Sequence, residues 1–390
     1  MKVLIVGNYP LSYQQSMHRY VELLAQGLKI AGVDARLIRP TPLFGRLKRG
    51  DGGLAKWLGY IDRFLLFPPL LRWRPKGFDV VHIADQGNGM YASMLGNKPS
   101  VVTCHDMLAI RSALGEVSEN PLRLTGRFLQ RWILRGLKRA AHVVCDSEQT
   151  QQDWLRIGSP AEGGTSVVPI ALNYPYRFMD QAERRVRLDR LGVGDAPYVL
   201  HVGSNNWYKN RPGLVRIFDA LVQHDTFGTF QLVISGKALE AEVANWLQAQ
   251  GHGARLIQTG PVDNEDLRAL YSGAALLLFP SLQEGFGWPI VEAQACGCLV
   301  ATTNRAPMTE VGGQGAIYFD VSDTWGAAAT IVGAWGDRNL LIDRGATNAT
   351  CYTTEAMIAG YVDAYRRVSS IARSQCQGMV LKKQERDKDI

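Results

Sequence analysis

Short apolar runs of strand length recur along the whole chain, separated by segments with helical periodicity, and this alternation constrains the fold more than any other feature. The runs are Val3 to Val6, Val80 to Ile83, Val101 to Thr103 and His142 to Cys145, then Tyr198 to Gly203, Phe230 to Ser235, Arg255 to Gln258, Ala274 to Phe279 and Leu299 to Thr302. Strands that are apolar throughout are covered on both faces, and strands alternating with helices build parallel, doubly wound sheets. A basic, weakly patterned stretch, Gln181 to Gly194, separates the two sets, which puts a domain boundary near residue 190. With 390 residues and 46% hydrophobic content the chain holds more than one typical core. The expectation is therefore α/β with two doubly wound domains, 1–190 and 191–360, a last helix over Glu355 to Ala372, and a charged tail from Gln377.

Six cysteines, Cys104, Cys145, Cys296, Cys298, Cys351 and Cys376, lack paired metal-ligand spacing and suit a reducing compartment. Met1-Lys-Val-Leu-Ile-Val-Gly7 runs straight into a strand pattern without a cleavage site, and no apolar stretch approaches about 18 residues, so the reading is a cytoplasmic protein. Residues 1–190 carry 27 Lys+Arg against 16 Asp+Glu and residues 191–390 carry 16 against 20, a split of +11 against −4. A basic first half implies an anionic neighbour. No nucleic-acid-binding motif accompanies it, so nucleic acid is not expected as a partner.

The functional signal is the run Pro280-Ser-Leu-Gln-Glu-Gly-Phe-Gly-Trp-Pro-Ile-Val-Glu-Ala293, in which Glu284 and Glu292 bracket a glycine turn after one apolar strand and before a helix. Pro289 suits a helix's first turn, where its missing N–H would be unpaired anyway. Such a loop lies at the carboxyl end of a strand, where open α/β sheets bind ligands and where helix N-termini favour phosphate. Followed by Cys296-Gly-Cys-Leu-Val300, this run resembles the signature of retaining glycosyltransferases of family 4, with the GT-B fold of two Rossmann-like domains facing a central cleft. Asp79-Val-Val-His-Ile83, Thr103-Cys-His-Asp106, Val143 to Glu148, Val167-Val-Pro169, His201-Val-Gly203, Lys209-Asn210, Gly260-Pro-Val262 and Pro307 to Val311 fall in that family's usual order.

The resemblance implies roles that elementary chemistry can weigh. Glu292, expected in the helix's first turn, would hold the nucleotide ribose; a carboxylate there is also favoured by the helix dipole alone. Glu284 would contact the donor sugar, with the backbone N–H groups of Gly285, Phe286 and Gly287 on the sugar or its diphosphate. Lys209, several loop residues after the strand Tyr198 to Val202, would neutralise the leaving diphosphate, and losing one such fixed donor costs on the order of a hundredfold in rate. Many relatives carry an arginine directly after this strand's glycine, where Ser204 stands here. Either Arg211 supplies the second cation or the diphosphate is held with one charge fewer. The base would be read by backbone groups near Lys237 and Val262.

In the first half, His105 ends the strand Val101 to Thr103 and would lie near the donor sugar, while Asp106 suits a turn cap. The loop Gly7 to Ser16 has one glycine where relatives have several; Gln14, Gln15 and Ser16 before the helix Met17 to Leu28 are assigned to the acceptor side, with ordinary capping as the other reading. No metal site stands out, since the sole Asp-x-Asp is Asp387-Lys-Asp389 in the tail. Two basic segments complete the picture. Arg123, Arg127, Arg131 and Arg135 recur every four residues without an acid nearby, and Phe44 to Lys76 mixes eight basic residues with Trp57, Tyr60, Phe64 and Trp73. Such surfaces suit an anionic membrane, though a helix with its arginines in water gives the same pattern.

The resulting expectation is a retaining, metal-independent and cofactor-free hexosyltransferase, using a UDP- or GDP-sugar as donor and a glycan or lipid-linked acceptor at the inner membrane face in cell-surface polysaccharide biosynthesis. Two rivals stand beside it: a GT-B nucleotide-sugar epimerase, and a non-catalytic nucleotide- or carbohydrate-binding protein.

Overall fold

The computed structural model describes residues 1–11, 15–47 and 53–386, excepting the side chains of Gln15, Lys56 and 372–386. The chain divides into two compact units, Met1–Asn173 with Thr354–Ile390, and Tyr174–Thr353. Each is built on a six-stranded, wholly parallel sheet.

In the first unit the strands are β1 (Lys2–Val6), β2 (Asp34–Ile38), β3 (Val80–Ile83), β4 (Ser100–Cys104), β5 (His142–Cys145) and β6 (Thr165–Val167), in the order β2-β1-β3-β4-β5-β6. The second has β7 (Tyr198–Gly203), β8 (Gln231–Gly236), β9 (Leu256–Gly260), β10 (Leu276–Phe279), β11 (Val300–Thr303) and β12 (Ala316–Phe319), in the order β12-β11-β10-β7-β8-β9. β3, β4, β5, β10 and β11 are buried at every position, as continuous apolar runs require of strands with helices on both faces. The strand order reverses beside β1 in one sheet and beside β7 in the other, so each unit has a switch point, between β1 and β3 and between β7 and β10.

The boundary falls at Asn173, earlier than the expected 190, because the helix Gln181–Arg190 packs on the second sheet's unit. Asp180 caps it by accepting from the N–H groups of Ala182 and Glu183. Arg187 and Arg190 pair with Asp266, and Arg184 donates to the Ser272 carbonyl. Leu188 is its one buried side chain, which is why the segment carries so little hydrophobic pattern. At the other end the chain leaves the second unit at Thr353, before the expected end of that domain at 360, and re-enters the first unit at Thr354 as a helix running to Arg386, past the expected start of the tail at 377. Buried hydroxyls hold that helix: the Tyr361 hydroxyl bonds Thr103 at 2.9 Å and accepts from Tyr20 at 2.5 Å, while Tyr365 bonds His82 Nδ1 at 2.6 Å.

Candidate active site

In the second unit, the switch point brings together two loops that sequence places some 75 residues apart. After β7 the chain crosses Ser204 to Asn206, makes one 3₁₀ turn at Trp207–Lys209 and enters the helix Arg211–Val222. After β10 it runs from Pro280 to Gly287 and enters the helix Trp288–Ala295. Leu282 N–H donates to the Tyr208 carbonyl at 2.7 Å and the Asn210 side-chain Nδ2 to the Pro280 carbonyl at 3.2 Å, tying the loops together. Across this seam Lys209 Nζ meets Glu284 Oε1 at 2.7 Å, their side chains 11% and 10% exposed. Lys209 also lies 4.7 Å over the Phe279 ring and passes beside Gly203, where a Cβ would stand 3.6 Å from its stem. Two of the sequence-derived catalytic candidates are thus one ion pair, mostly shielded from solvent.

Gly287 has φ +108° and caps the helix, so this turn requires glycine, whereas Gly285 has no left-handed backbone. Phe286 is buried with its ring against Tyr352 at 5.6 Å, leaving only its backbone for a ligand. Glu292 is the fifth residue of the helix, so the first-turn position expected of it is corrected: that turn contains no acid, and helix-dipole placement does not explain the residue. It is buried, and its Oε2 accepts from the Tyr271 hydroxyl at 2.8 Å. Burial and the neighbouring Glu292 charge push the Tyr271 hydroxyl's pKa well up, which keeps it a donor.

Arg211 is buried at the start of its helix. Its guanidinium is buried, donating to the carbonyls of Gly203 at 2.8 Å, Lys237 at 2.7 Å and Ala238 at 3.0 Å and to Asn205 Oδ1. It clamps the ends of β7 and β8, and burial lowers its pKa from the free value. Gly236 stands where a Cβ would lie 2.3 Å from the Gly203 carbonyl oxygen, at φ +110°, so only glycine fits. Ser204 is half-buried after β7, Lys237 exposed after β8, and Val262 half-buried after β9, all at the carboxyl end of this sheet. Sequence reasoning passed over His201 and Ser281. Both are buried at this switch point, and His201 Nε2 and Ser281 Oγ have no hydrogen-bond partner among the described residues. Burial drives the His201 pKa down to about 3, so its ring is neutral. The signal available was a polar residue within β7 and another just after β10.

In the first unit, Asn8 after β1 donates to Asp85 Oδ2 after β3 at 2.5 Å, and Asn88 donates back to Asn8 Oδ1 at 3.0 Å. Asp85 also caps the following turn through Gly87 N–H. His105 follows β4, buried, with Nδ1 2.5 Å from Asp146 Oδ2 and Nε2 3.0 Å from the Ala84 carbonyl. Both partners are acceptors, so both nitrogens carry hydrogen. Burial opposes that charge, but the Asp146 carboxylate outweighs it and raises the His105 pKa to about 9. Tyr20 sets its edge on the imidazole at 4.7 Å, and Gln86 Oε1 accepts the His105 backbone N–H at 2.9 Å. Asp106 accepts from Leu108 N–H at 2.9 Å, as a turn cap does. Gln14 and the Gln15 side chain lie outside the described residues. Ser16 is exposed in the first turn of the helix Gln15–Ile30, which starts two residues before the expected Met17. Among the described residues no three His, Cys, Asp or Glu side chains cluster as metal ligands would, and no helix is long and apolar enough to cross a membrane.

Comparison with known proteins agrees with this layout. Residues 187–331 match the family model of glycosyl transferases group 1, and residues 17–170 match that of Glycosyltransferase Family 4. O-antigen chain mannosyltransferase B of Escherichia coli is 26% identical over 245 residues, 62% of this chain and 64% of that protein. The chain spans less than two thirds of the length of the curated mannosyltransferases it matches. Among solved structures, sucrose-phosphate synthase from Thermosynechococcus elongatus superposes with a TM-score of 0.71 at 20% identity over 95% of this chain and 100% of that one. Anabaena HepE in complex with UDP superposes with a TM-score of 0.69 at 15% identity over 94% and 100%. The chain carries group 1 and family-4-like glycosyltransferase domains, and its structural neighbours are GT-B glycosyltransferases.

Proposed function

We propose that, with these two glycosyltransferase domains, the protein transfers a hexose with retention from a nucleotide-diphosphate sugar to a glycan or lipid-linked acceptor in cell-surface polysaccharide assembly. The observation that carries the reading is the Lys209–Glu284 pair at the second unit's switch point, inside the segment that matches group 1. The roles follow from chemistry. Lys209 would leave Glu284 for the diphosphate as negative charge develops on the leaving phosphate, and Glu284, released, would accept hydrogen bonds from the sugar hydroxyls. Glu292, oriented by Tyr271, would accept the ribose hydroxyls. Gly285, Phe286 and Gly287 would offer backbone N–H groups to the sugar or diphosphate, and groups after β8 and β9 near Lys237 and Val262 would meet the base. Arg211 would act indirectly, by fixing the backbone around Ser204. The leaving phosphate would assist acceptor deprotonation from the same face, without metal or cofactor, and Ser16 with Gln14 and Gln15 would serve the acceptor. Mannose is the first sugar to try, since mannosyltransferases are among the relatives.

Thermal stabilisation by UDP, GDP, ADP and dTDP, with and without EDTA, tests the site, because a ligand at a hundred times its dissociation constant stabilises by about 2.7 kcal/mol. One nucleotide should shift the melting temperature regardless of EDTA, and Glu292→Ala should abolish the shift. No response to any nucleotide would defeat the reading. The anomeric configuration of the product, read by NMR, tests retention. A second reading, a non-catalytic nucleotide-binding protein, draws on one observation: Arg211 is spent on carbonyls and does not supply a second cation beside Lys209. It predicts nucleotide binding without turnover.

A further inference from the structure

The basic and aromatic segments of the first unit form one surface. The helix Leu124–Leu137 turns Ile133, Gly136 and Leu137 inward, and a Cβ on Gly136 would lie 2.2 Å from the Gly89 carbonyl oxygen, so the backbones pack directly there. Its outward side carries Leu124 and Phe128 four residues apart, with Arg123 and Arg127 one residue before each and Arg131 and Arg135 continuing the line, while Trp132, the next at that spacing, is half-buried against the core. Leu124 is 81% and Phe128 73% exposed. Trp132 meets Phe64 at 5.5 Å between ring centroids, Phe64 meets Tyr60 at 5.2 Å, and Tyr60 meets Trp57 at 5.8 Å. That ring chain joins the helix to the segment Gly53–Trp73, where Trp57 is 64% and Trp73 70% exposed. Arg72, Arg74 and Lys76 stand in solvent beside Trp73.

Over residues 53–76 and 122–141 the sequence has eleven basic residues and one acid, Asp62. That acid faces inward: buried, it accepts from the Tyr9 hydroxyl at 2.6 Å and from the N–H groups of Phe44 at 3.0 Å and Gly45 at 2.9 Å. Among the described residues no carboxylate pairs with Arg123, Arg127, Arg131 or Arg135. An arginine row rising about 6 Å per step along a helix axis matches a plane of phosphates, and exposed indole and phenyl rings beside it match the acyl boundary beneath.

We propose that this face docks on an anionic lipid surface, with Leu124, Phe128, Trp57 and Trp73 at the acyl boundary and the arginine row at the headgroup phosphates. The proposal goes beyond the transfer reaction, and because it is read without donor, its failure and the failure of the donor site are separate results. The full chain is sedimented with vesicles of phosphatidylcholine alone and with about one third phosphatidylglycerol, at low and high salt. Binding should need phosphatidylglycerol and weaken steeply with salt. Replacing Arg127, Arg131 and Arg135 by Ala should cut affinity on the order of a hundredfold, since each surface cation near anionic lipid contributes roughly fivefold. Trp57→Ser with Phe128→Ser should cut it about tenfold and leave the salt dependence in place. All five side chains are exposed, so unchanged melting temperatures would show that the variants fold. Equal partition onto both vesicle types, or indifference to the arginine substitutions, would overturn the proposal. So would arginine-dependent binding that the Trp57 and Phe128 substitutions leave unchanged, the signature of a soluble polyanion site.

Discussion

Both units are six-stranded parallel sheets with one switch point each, though their strand orders differ, and they furnish those switch points in opposite ways. Between β1 and β3, Asn8, Asp85 and Asn88 satisfy one another at depth, and the adjoining Tyr9 is locked onto Asp62. Between β7 and β10, the facing groups are a cation and an anion paired with each other, beside His201 Nε2 and Ser281 Oγ, which have no hydrogen-bond partner among the described residues. A carboxyl-end crevice becomes a ligand site when its polar groups can trade protein partners for ligand ones; a crevice whose polar groups are mutually satisfied is a structural joint.

Lys209→Ala tests this contrast most directly. Turnover should fall on the order of a hundredfold or more, with nucleotide affinity falling less, because charge on the leaving phosphate is greatest in the transition state. Asn8→Ala, at the other switch point, should instead cost about 1 to 3 kcal/mol of stability by leaving buried partners unpaired. Steady-state kinetics and denaturant melts on both variants decide it. Equal loss of turnover in Asn8→Ala at unchanged stability would erase the distinction, and an effect of Lys209→Ala on affinity alone would favour the non-catalytic reading.

Asp62→Ala sharpens the structural side. Three donors converge on that buried carboxylate, so its removal should cost about 3 kcal/mol and lower the melting temperature, whereas Glu284→Gln, which keeps the side chain's volume and an acceptor oxygen for Lys209, should cost less. The reverse order would mean the ion pair, and not the Asp62 joint, holds its unit together.

Much of this was readable from residues alone, for a physical reason. Strands covered on both faces announce themselves as apolar runs, which is how β1, β3, β4, β5 and five of the second unit's strands could be found. β2 is a half-open edge with Arg36 in its middle and β6 has three residues, so neither carries a continuous run, while β12 is a four-residue apolar run, Ala316 to Phe319, that the reading passed over behind a glycine-rich turn. The loop holding Glu284 was legible because strand, glycine and proline fix where it lies. Its partners were less so. Arg211 is buried by carbonyls of Gly203, Lys237 and Ala238, and His105 is charged by an aspartate 41 residues away, both products of strand order and not of local pattern.

His105 offers a pH test of the first unit. Its folded pKa, about 9, stands above the ordinary 6.5, so its contribution to stability is complete below pH 6.5 and is lost as pH rises through 9. Between pH 7 and 10 the first unit should lose on the order of 2 kcal/mol, and His105→Gln should flatten that slope. A slope identical in the variant would show that the imidazole is neutral in the native protein.

The smallest effect is expected at Tyr271, where only one hydrogen bond to Glu292 is at stake. Tyr271→Phe should cost about 1 kcal/mol of stability, since burial is kept and a single neutral donor to a carboxylate is lost. Its value lies in the pairing with Glu292→Gln. If Tyr271 orients the carboxylate for a ribose, Tyr271→Phe should weaken nucleotide binding a few-fold and Glu292→Gln should weaken it more, because the latter replaces one acceptor oxygen by a donor facing the same hydroxyls. Calorimetric titration of both variants with the stabilising nucleotide gives the ranking. Full affinity in Glu292→Gln would remove Glu292 from the donor site and reduce the Tyr271 contact to packing within the second unit's core.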